Sequence, residues 1–364
     1  MKIAVVGTRG IPARYSGVET SVDEISRRLG EKGYEIIIYC RKNNDRLITA
    51  YLYKNVKLVY IPSINSKHLG TLAHTFFSTL HIMFSKTDIV HFHALGPSLF
   101  SFLPRLIGKK TVVTVHGLDW KRKKWGYFAR LFLKLCEYSA IFFPNETVTI
   151  SRALKDYFEN KFKKEVIYIA NGANIYSDYT DKETDGKTQR YILFVGRLVP
   201  EKGIHYLIKA FNELEADIRL VIAGESSFTD KYVSYLHSIS GKNVEFPGFI
   251  QPEALKDLYK NAYLFVLPSE VEGLPISLLE AMSYGKCALV SDIPESREVA
   301  EDCGVYFRRG DCLDLKNKLQ YLIDNIQAVN EIGKRARKRI AEYYNWEHIV
   351  NDLETLYLGL GRKI

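Results

Sequence analysis

The sequence predicts an α/β fold of two Rossmann-like, doubly wound domains that face a central cleft. Three observations carry this prediction. The chain has 364 residues, which is too long for one ordinary hydrophobic core. Short apolar runs alternate with segments of helical apolar spacing, which is typical of parallel sheets flanked by helices. A polar segment at residues 176–190 separates two such series.

The first series predicts a domain over residues 1–175. It opens with a strand at residues 3–6 that ends at Gly7, followed by a helix over residues 18–29. Each of the later predicted strands is a short apolar run bounded by polar residues. These strands are 35–39, 57–60, 89–93, 111–116 and 147–150.

The second series predicts a domain over residues 190–345, and its first strand runs from Tyr191 to Gly196. The elements predicted after it continue the same alternation: helix 204–214, strands 218–223, 244–246, 264–267 and 288–291, and helix 275–284. Residues 176–190, whose large apolar residues are all tyrosines, are predicted as the linker between the domains.

Charge is distributed unevenly along the chain. Residues 1–181 contain 27 lysines and arginines against 15 acidic residues, and the remainder contains 24 against 27. A basic first half favours anionic partners, namely phospholipid headgroups, lipid-linked diphosphates or nucleic acid. Nucleic acid is disfavoured, because no recognisable binding module is present. The alternative is a domain with a skewed surface and no such partner.

Composition and cysteine use indicate a globular protein of a reducing compartment. Hydrophobic residues make up 46% of the chain and charged residues 26%. The five cysteines are odd in number and form no CxxC pair, so neither a zinc site nor a disulfide framework is expected. Met1 and Lys2 lead directly into the first strand without a secretory signal. Uncharged stretches at residues 68–85 and 89–104 are predicted as buried elements, so we expect a cytoplasmic location.

The strongest motif is SEVEGLPISLLEAMSYG, residues 269–285. Pro275 suits the first turn of a helix and Gly285 its end. Glu272 then lies on the loop entering the helix, and Glu280 lies in the helix body. One carboxylate could then bind hydroxyls of a sugar, and the other could bind hydroxyls further along the same ligand. The backbone amides at the start of the helix could face a diphosphate between them. For Glu280 alone, an exposed surface position would be the better interpretation.

A second motif, GRLVPEKG at residues 196–203, follows the first strand of the second series. Arg197 and Lys202 form a cationic loop at the carboxyl edge of the predicted sheet, where ligands bind in such folds. The two cations are suited to neutralise a leaving diphosphate, one as a bidentate fork and one as a point charge. The alternative is a surface pair of cations bound to Glu201.

The opening motif GTRGIPARYSGVET, residues 7–20, has three glycines before or at the start of the first helix. Its backbone N–H groups and the helix N-terminus are suited to a phosphate. GxGxxG is absent, so NAD is disfavoured. Arg9 and Arg14 are candidates for contact with the acceptor or the diphosphate, with a plain surface role as the alternative.

The fourth motif, VHGLDW at residues 115–120, ends a buried strand of the first series. His116 and Asp119 are expected to point into the cleft from the side opposite Glu272, and a donor-sugar contact of His116 is favoured over a structural role. No DxD pair occurs in the sequence. A metal tether for a nucleotide-sugar usually needs such paired carboxylates, so we expect no metal and no other cofactor.

A basic cluster at residues 121–124 stands beside Trp125, Tyr127 and Phe128 and is predicted to continue helically to Leu135. Cations beside aromatic residues resemble an interfacial helix, which predicts peripheral association with an anionic membrane. The alternative is an ordinary amphipathic helix with a cationic end.

Together the four motifs resemble the retaining glycosyltransferases of family 4, which have the GT-B fold, and the resemblance covers essentially the whole chain. The opening motif and TVHGLDWKRKKWG are similar to the branch that includes bacterial rhamnosyltransferases of polysaccharide assembly. The resemblance implies transfer of a hexose (L-rhamnose, glucose or an N-acetylhexosamine) from a nucleotide diphosphate sugar to a saccharide or lipid-diphosphate-linked acceptor. It also implies that residues 346–364 pack back on the first domain.

The resemblance assigns roles to the candidate residues. Glu280 would bind the ribose hydroxyls, Glu272 the donor-sugar hydroxyls, and Arg197 with Lys202 the diphosphate. His116 would reach the transferred sugar. All of the candidate site residues lie within the four motifs. The resemblance implies catalytic roles for Glu272, Arg197, Lys202 and His116, and substrate binding by Gly17, Asp119, Gly273, Leu274 and Glu280.

The chain departs from the family's usual motifs at two places. Gly17, which would close near the diphosphate, follows Ser16 where the family often has paired glycines. Residues 272–275 read EGLP where the family often has EGFG, and Pro275 removes one backbone donor near the donor sugar.

The resemblance implies front-face departure of the diphosphate, with the acceptor hydroxyl attacking from the same side and no protein nucleophile. An inverting enzyme would instead use Asp119 or His116 as a general base. Two other functions stay open on this architecture: a nucleotide-sugar 2-epimerase or hydrolase, and a non-catalytic sugar or lipid-diphosphate binding protein. Incubation with donor alone identifies an epimerase, because it turns over without an acceptor.

Overall fold

The chain folds into two compact units, one formed by Met1–Asn171 with Trp346–Ile364 and the other by Gly172–Asn345. The computed structural model describes residues 1–12, 16–42, 52–62, 69–122, 125–176, 190–226 and 229–361. Each unit is built on its own largely parallel sheet with helices between the strands. The predicted pair of Rossmann-like α/β folds is therefore confirmed.

The sheet of the first unit is formed by β1 (Lys2–Val6), β2 (Glu35–Lys42), β3 (Leu52–Tyr53), β4 (Val56–Pro62), β5 (Ile89–His93), β6 (Lys110–Val115), β7 (Glu146–Thr149) and β8 (Ile167–Tyr168). Over the described residues the strand order is β3-β4-β2-β1-β5-β6-β7-β8. Neighbouring strands are parallel, apart from the antiparallel pair β3 and β4.

The helices between these strands are α1 (Gly17–Glu31), α2 (Leu69–Met83), α3 (Leu95–Ser98), α4 (Phe102–Leu106), α5 (Tyr127–Phe142) and α6 (Arg152–Phe162). Side chains cap two of them. Ser16 Oγ accepts from the N–H of Glu19 at 3.4 Å in α1, and Ser151 Oγ accepts from the N–H of Leu154 at 3.3 Å in α6. These bonds satisfy N–H groups that the first turn of a helix leaves unpaired.

The second unit contains strands β9 (Tyr191–Val195), β10 (Arg219–Ala223), β11 (Val244–Gly248), β12 (Leu264–Leu267), β13 (Cys287–Ser291) and β14 (Val305–Phe307). Its helices are α7 (Ile204–Asn212), α8 (Asp230–Ser238), α9 (Pro252–Asn261), α10 (Ile276–Ser283), α11 (Pro294–Ala300), α12 (Cys312–Asp324) and α13 (Ile326–Tyr343). In the described part of this unit the strands are parallel and follow the order β11-β10-β9-β12-β13-β14.

The last helix of the chain, α14 (Trp346–Gly361), belongs to the first unit and packs against α1. Arg28 Nε donates to Glu347 Oε1 at 2.8 Å. Tyr34 OH donates to Glu354 Oε1 at 2.8 Å, just beyond the end of α1. These contacts join the chain's last helix to its first.

Most inner strands of both sheets are buried, whereas the edge strands β3, β8, β11 and β14 are partly exposed. All of β5, β12 and β13 is buried. Helices cover both faces of a parallel sheet of this kind, so such strands have continuous apolar runs rather than alternating patterns. β5 (IVHFH) is an exception in composition, because two of its five buried residues are histidines.

The predicted helix over residues 121–135 is wrong at its start. Residues Asp119–Lys121 form a 3₁₀ turn, Gly126 is the N-cap in extended backbone, and α5 begins only at Tyr127. Glycine is a poor helix former, which explains the late start. Residues 123 and 124 of the basic cluster lie outside the described residues.

Two further boundaries differ from the predictions. Pro275 precedes α10 as its N-cap instead of occupying the first turn. The chain enters the second unit at Gly172, and the ring of Tyr176 stacks on Tyr284 at 5.1 Å. Most of the predicted linker, residues 177–189, lies outside the described residues.

Candidate functional site

The two strongest motifs meet at the switch point of the second sheet. β9 lies between β10 and β12, and the direction of strand addition reverses between β9 and β12. Because the strands are parallel, their carboxyl ends share one edge, which is where ligands bind in such folds. The connection after β9 carries Arg197 and Lys202, and the loop after β12 carries Glu272.

Lys202 and Glu272 form an ion pair at this edge. Lys202 Nζ lies 2.6 Å from Glu272 Oε1, and Ser269 Oγ donates to the same oxygen at 2.6 Å. The Lys202 and Glu272 side chains are only 14% and 9% exposed, so salt screens this pair less than a surface pair. Ser269 is itself held by Ser291, whose Oγ donates to its carbonyl oxygen at 2.5 Å.

Two glycines allow the surrounding loops to approach closely. Gly203 has φ +67°, and a Cβ there would lie 2.0 Å from the carbonyl oxygen of Pro268. Gly224 has φ +148°, and a Cβ there would lie 1.8 Å from the carbonyl oxygen of Gly196. No side chain fits at such distances, so glycine is required at both positions. The 3₁₀ turn Pro200–Lys202 immediately precedes Gly203 and presents Lys202 to the loop after β12.

Glu280 lies in α10, and a buried tyrosine orients its carboxylate. Tyr259 OH donates to Glu280 Oε2 at 3.0 Å. Burial, with Glu280 as a neighbouring negative charge, raises the pKa of Tyr259 well above its usual value. The phenol therefore remains a hydrogen-bond donor across the working pH range, which fixes one carboxylate oxygen of Glu280.

The other predicted residues of the second unit occupy the same loops. Arg197 lies two residues after the end of β9 and is half-buried. Gly273 is half-buried beside Glu272, whereas the Leu274 side chain is buried in the core. A ligand contact at Leu274 would therefore involve its backbone.

In the first unit, His116 ends a row of three buried histidines. His116 follows β6, and its Nε2 lies 2.9 Å from Nδ1 of His93 at the end of β5. The His93 ring also stacks on His91, with centroids 4.3 Å apart. His91 is held by Tyr357 OH at 2.6 Å from Nδ1 and by Thr114 Oγ1 at 2.7 Å from Nε2. This row joins α14 to the carboxyl edge of the first sheet.

Burial keeps these histidines neutral. Burial lowers the pKa of His91 to about 3 and that of His116 to about 4, and it lowers the pKa of His93 well below its usual value. His74, which is fully buried on α2, has its pKa lowered by burial to about 4. Because the unfolded chain binds protons at these sites first, protonation favours unfolding once the pH falls below about 6.5.

We therefore expect the first unit to lose stability between pH 7.5 and 5.5, by on the order of 1 kcal/mol for each of the four histidines. Thermal unfolding at the two pH values measures the loss. His93→Gln should reduce this pH dependence, whereas His348→Gln, at an exposed position of α14, should leave it unchanged. Equal pH dependence in wild type and His93→Gln would contradict the prediction.

The remaining first-unit candidates lie around the same sheet edge. Asp119 follows His116 in the 3₁₀ turn, and its Oδ1 lies 3.3 Å from Arg122 Nε. Gly17 is exposed and begins α1. The Arg9 carbonyl accepts from the N–H of Arg41 at 3.0 Å, beside the end of β2. Arg14 lies outside the described residues.

Sequence reasoning missed the residues that orient the predicted ones. Ser269 and Tyr259 hold Glu272 and Glu280, and His93 contacts His116. The sequence contained one signal for the contact between His93 and His116. Each of these histidines ends a predicted strand that precedes a glycine- or proline-containing turn, and neighbouring parallel strands bring their carboxyl ends together. Tyr259 belongs to α9 and had no comparable signal.

Within the described ranges, no cluster of three or more His, Cys, Asp or Glu side chains is placed to hold a metal ion. Across those same ranges, no helix is both long and apolar enough to cross a bilayer.

Both halves of the chain match family models of glycosyltransferases. Residues 15–175 match the family described as Glycosyltransferase Family 4. Residues 177–339 match the family described as Glycosyl transferases group 1. The two matches are adjacent and together cover most of both predicted domains.

Full-length relatives and solved structures agree with these matches. UDP-Gal:alpha-D-GlcNAc-diphosphoundecaprenol alpha-1,3-galactosyltransferase of Escherichia coli is 25% identical over 376 residues, covering 95% of this chain and 94% of the relative. Sucrose-phosphate synthase from Thermosynechococcus elongatus superposes with a TM-score of 0.85 at 19% identity, covering 100% of both chains. HepE of Anabaena, solved with UDP-glucose, has a TM-score of 0.81 at 18% identity, covering 98% of this chain and 99% of that chain. These structures show the GT-B fold.

Proposed function

The chain belongs to the glycosyltransferases with the GT-B fold, and we propose that it transfers a hexose from a nucleoside diphosphate sugar to a saccharide or lipid-diphosphate-linked acceptor. The observation that carries the proposal is the Lys202–Glu272 pair at the switch point of the second sheet. There a cation for a leaving diphosphate and a carboxylate for sugar hydroxyls lie side by side, as donor binding requires.

Uridine is the base that the comparisons favour. The Escherichia coli relative is named for UDP-Gal, and HepE was solved with UDP-glucose. The family motifs leave L-rhamnose, glucose and N-acetylhexosamines as candidate sugars. A thermal-shift panel of nucleotide-sugars is the first test, because a ligand at a hundred times its Kd stabilises the folded state by about 2.7 kcal/mol. If no nucleotide-sugar raises the unfolding temperature, the proposal fails.

The stereochemical course that we propose is retention. The C1–O bond to the diphosphate breaks, and the acceptor oxygen bonds to C1 from the same face. Arg197 and Lys202 stabilise the negative charge that grows on the departing diphosphate, and the acceptor's proton passes to a diphosphate oxygen. Nuclear magnetic resonance of the first-formed product tests this course, since an inverted anomeric configuration would require a general base instead. Incubation with donor alone separates transfer from hydrolysis and epimerisation.

Glu280→Ala is expected to raise the KM for the donor at least tenfold and to change kcat little. Ribose hydroxyl contacts are similar in the ground and transition states, so their loss weakens binding more than turnover. Steady-state kinetics over a range of donor concentrations measures the split. Glu298→Ala on α11 serves as a control in the same unit. An unchanged donor KM in Glu280→Ala would contradict the ribose assignment.

Excess EDTA is expected to leave the activity largely intact. The sequence has no DxD pair, and Arg197 and Lys202 supply the positive charge that a metal ion would otherwise provide. Activity is measured before chelation, after chelation and after addition of Mn²⁺. Complete loss that Mn²⁺ restores would show a metal-dependent mechanism.

The acceptor side of the proposal includes a membrane surface. Helix α5 exposes a row of large apolar residues, which we call the α5 apolar stripe: Tyr127, Phe128, Leu131, Leu135, Tyr138 and Phe142. Arg130 and Lys134 are exposed on the same helix, whereas its one carboxylate, Glu137, is fully buried. An apolar row with cations and no exposed acid suits an anionic bilayer. The chain would then act at the inner face of the cell membrane, close to a lipid-linked acceptor.

A further inference from the structure

Buried polar atoms without a hydrogen-bond partner are concentrated near one edge of the first sheet. Within the described residues they include Thr8 Oγ1, Arg41 Nε and Ser78 Oγ. The ring of His74 lies near them and bonds to the Cys40 backbone. The Thr8, His74 and Ser78 side chains are all buried. Native proteins rarely leave buried polar groups unpaired, so a group of them in one place indicates ordered water or a bound polar ligand.

Short contacts place most of these groups together. The N–H of Arg41, near the end of β2, donates to the Arg9 carbonyl at 3.0 Å, which brings the adjacent Thr8 to the same edge. The Arg41 guanidinium donates from Nη2 to Thr71 Oγ1 at 2.6 Å. His74 lies one turn after Thr71 on α2, close enough to Arg41 to feel its charge. The edge is the carboxyl one, where ligands bind in such sheets.

The charges at this edge favour an anion. Burial and then the neighbouring Arg9 lower the pKa of the Arg41 guanidinium. Glu19, buried in the first turn of α1, is the carboxylate that faces Arg41 and offsets one of the two cations. Helix α2 starts at the same edge, so the positive end of its dipole adds to the field. A net positive, largely buried place with unpaired donors matches what a phosphate needs.

We propose that Thr8 and Arg41 form an anion subsite that binds the phosphate groups of the acceptor. Arg41 Nε–H and the Thr8 hydroxyl donate to phosphate oxygens, while Thr71 holds the guanidinium in place. His74 lies beside this place, and its ring bonds to the Cys40 backbone. The assignment to the acceptor rests on the proposed function, in which the first unit binds a lipid-diphosphate-linked sugar.

Inorganic pyrophosphate is the probe, added in the presence of excess UDP so that the donor site is occupied. We expect pyrophosphate to shift the His74 ring signals in the nuclear magnetic resonance spectrum and to raise the His74 pKa from about 4, because an anion offsets the charge of Arg41. Arg41→Gln should weaken pyrophosphate binding at least roughly tenfold, as expected for loss of charge-assisted hydrogen bonds. Lys57→Gln, which removes an exposed cation from the same unit, should bind as wild type does.

An unchanged His74 signal in the wild-type protein, or equal affinity in Arg41→Gln, would overturn the proposal. A His74 shift with UDP alone, to which pyrophosphate adds nothing, would assign the site to the donor and overturn the acceptor assignment. If Arg41→Gln does not fold, Arg41→Lys tests the proposal instead. This variant keeps the positive charge but loses the forked donors, so it is expected to bind pyrophosphate more weakly than wild type.

The two proposals fail separately. Pyrophosphate binding beside His74 without turnover of any nucleotide-sugar would refute the proposed reaction and leave the anion subsite. Transfer activity with the same acceptor KM in Arg41→Gln and wild type would refute the subsite and leave the reaction.

Discussion

Replacement of Lys202 by alanine is expected to lower kcat by a factor of about 10² to 10³, the range seen when one preorganised charge-stabilising group is removed. Negative charge on the diphosphate grows as the glycosidic bond breaks, so an ammonium beside it stabilises the transition state more than the bound donor. The donor KM should therefore change much less than kcat. Steady-state kinetics with the nucleotide-sugar that most stabilises the protein measures both parameters.

The ion pair adds a second consequence to this substitution. Without Lys202, the nearly buried carboxylate of Glu272 keeps Ser269 as a hydrogen-bond donor but loses its cation. Lys202→Arg keeps a positive charge with different geometry and is expected to recover part of the activity. Lys256→Ala is the matched control, because Lys256 pairs with Glu253 at 2.7 Å in an exposed ion pair. A kcat equal to that of wild type in Lys202→Ala would remove this lysine from the chemical step.

The same pair shows what sequence reasoning can and cannot reach. Lys202 and Glu272 are 70 residues apart, yet both follow predicted parallel strands, so their placement at one sheet edge was predictable. Their direct contact was not, because it depends on how closely the two loops approach. That approach requires Gly203 against Pro268, a steric fact without a periodic signal in the sequence.

Secondary structure was predictable where an apolar run extends over four or more residues. Strands β5 and β12 were predicted with their observed limits, because each is a continuous buried run. Strands β3, β8 and β14, only two or three residues long, were missed because runs that short have no measurable period. The start of α5 was misplaced for a related reason, since the apolar spacing continues through Gly126 although the helix does not.

Buried polar residues were the least predictable part of the first unit. Nothing in the spacing of His74 or Arg41 distinguishes a buried polar side chain from an exposed one. Their burial results from the packing of α2 on the first sheet, where it contacts β1 and β4. Tyr39 OH lies 2.8 Å from His81 Nδ1 at the far end of the helix. Tertiary contacts of this kind become visible only with the fold.

A variant with Tyr127→Ser and Phe128→Ser is expected to lose more than 99% of its affinity for anionic vesicles. These two side chains are 76% and 83% exposed at the start of α5. Burial of each aromatic side chain is worth about 1.5 to 3 kcal/mol, so the pair contributes at least about 3 kcal/mol, or more than a hundredfold in affinity. Co-sedimentation with vesicles of mixed neutral and anionic lipid measures the partition coefficient.

The basic residues make a separate and smaller contribution. Each cation near an anionic bilayer is worth about 1 kcal/mol, so Arg130→Gln with Lys134→Gln should weaken binding by roughly tenfold to thirtyfold. That part should disappear at high salt, where the Debye length shortens, whereas the aromatic part should persist.

Salt dependence therefore separates the two contributions and tests the membrane proposal as a whole. Leu313→Ser with Tyr321→Ser removes comparable exposed apolar area from α12 in the second unit and should bind vesicles as wild type does. If this control loses binding equally, the attraction is general surface hydrophobicity. If wild type does not sediment with anionic vesicles at low salt, the α5 apolar stripe has another partner. Binding that depends on α5 alone would place the first unit against the lipid that carries the acceptor.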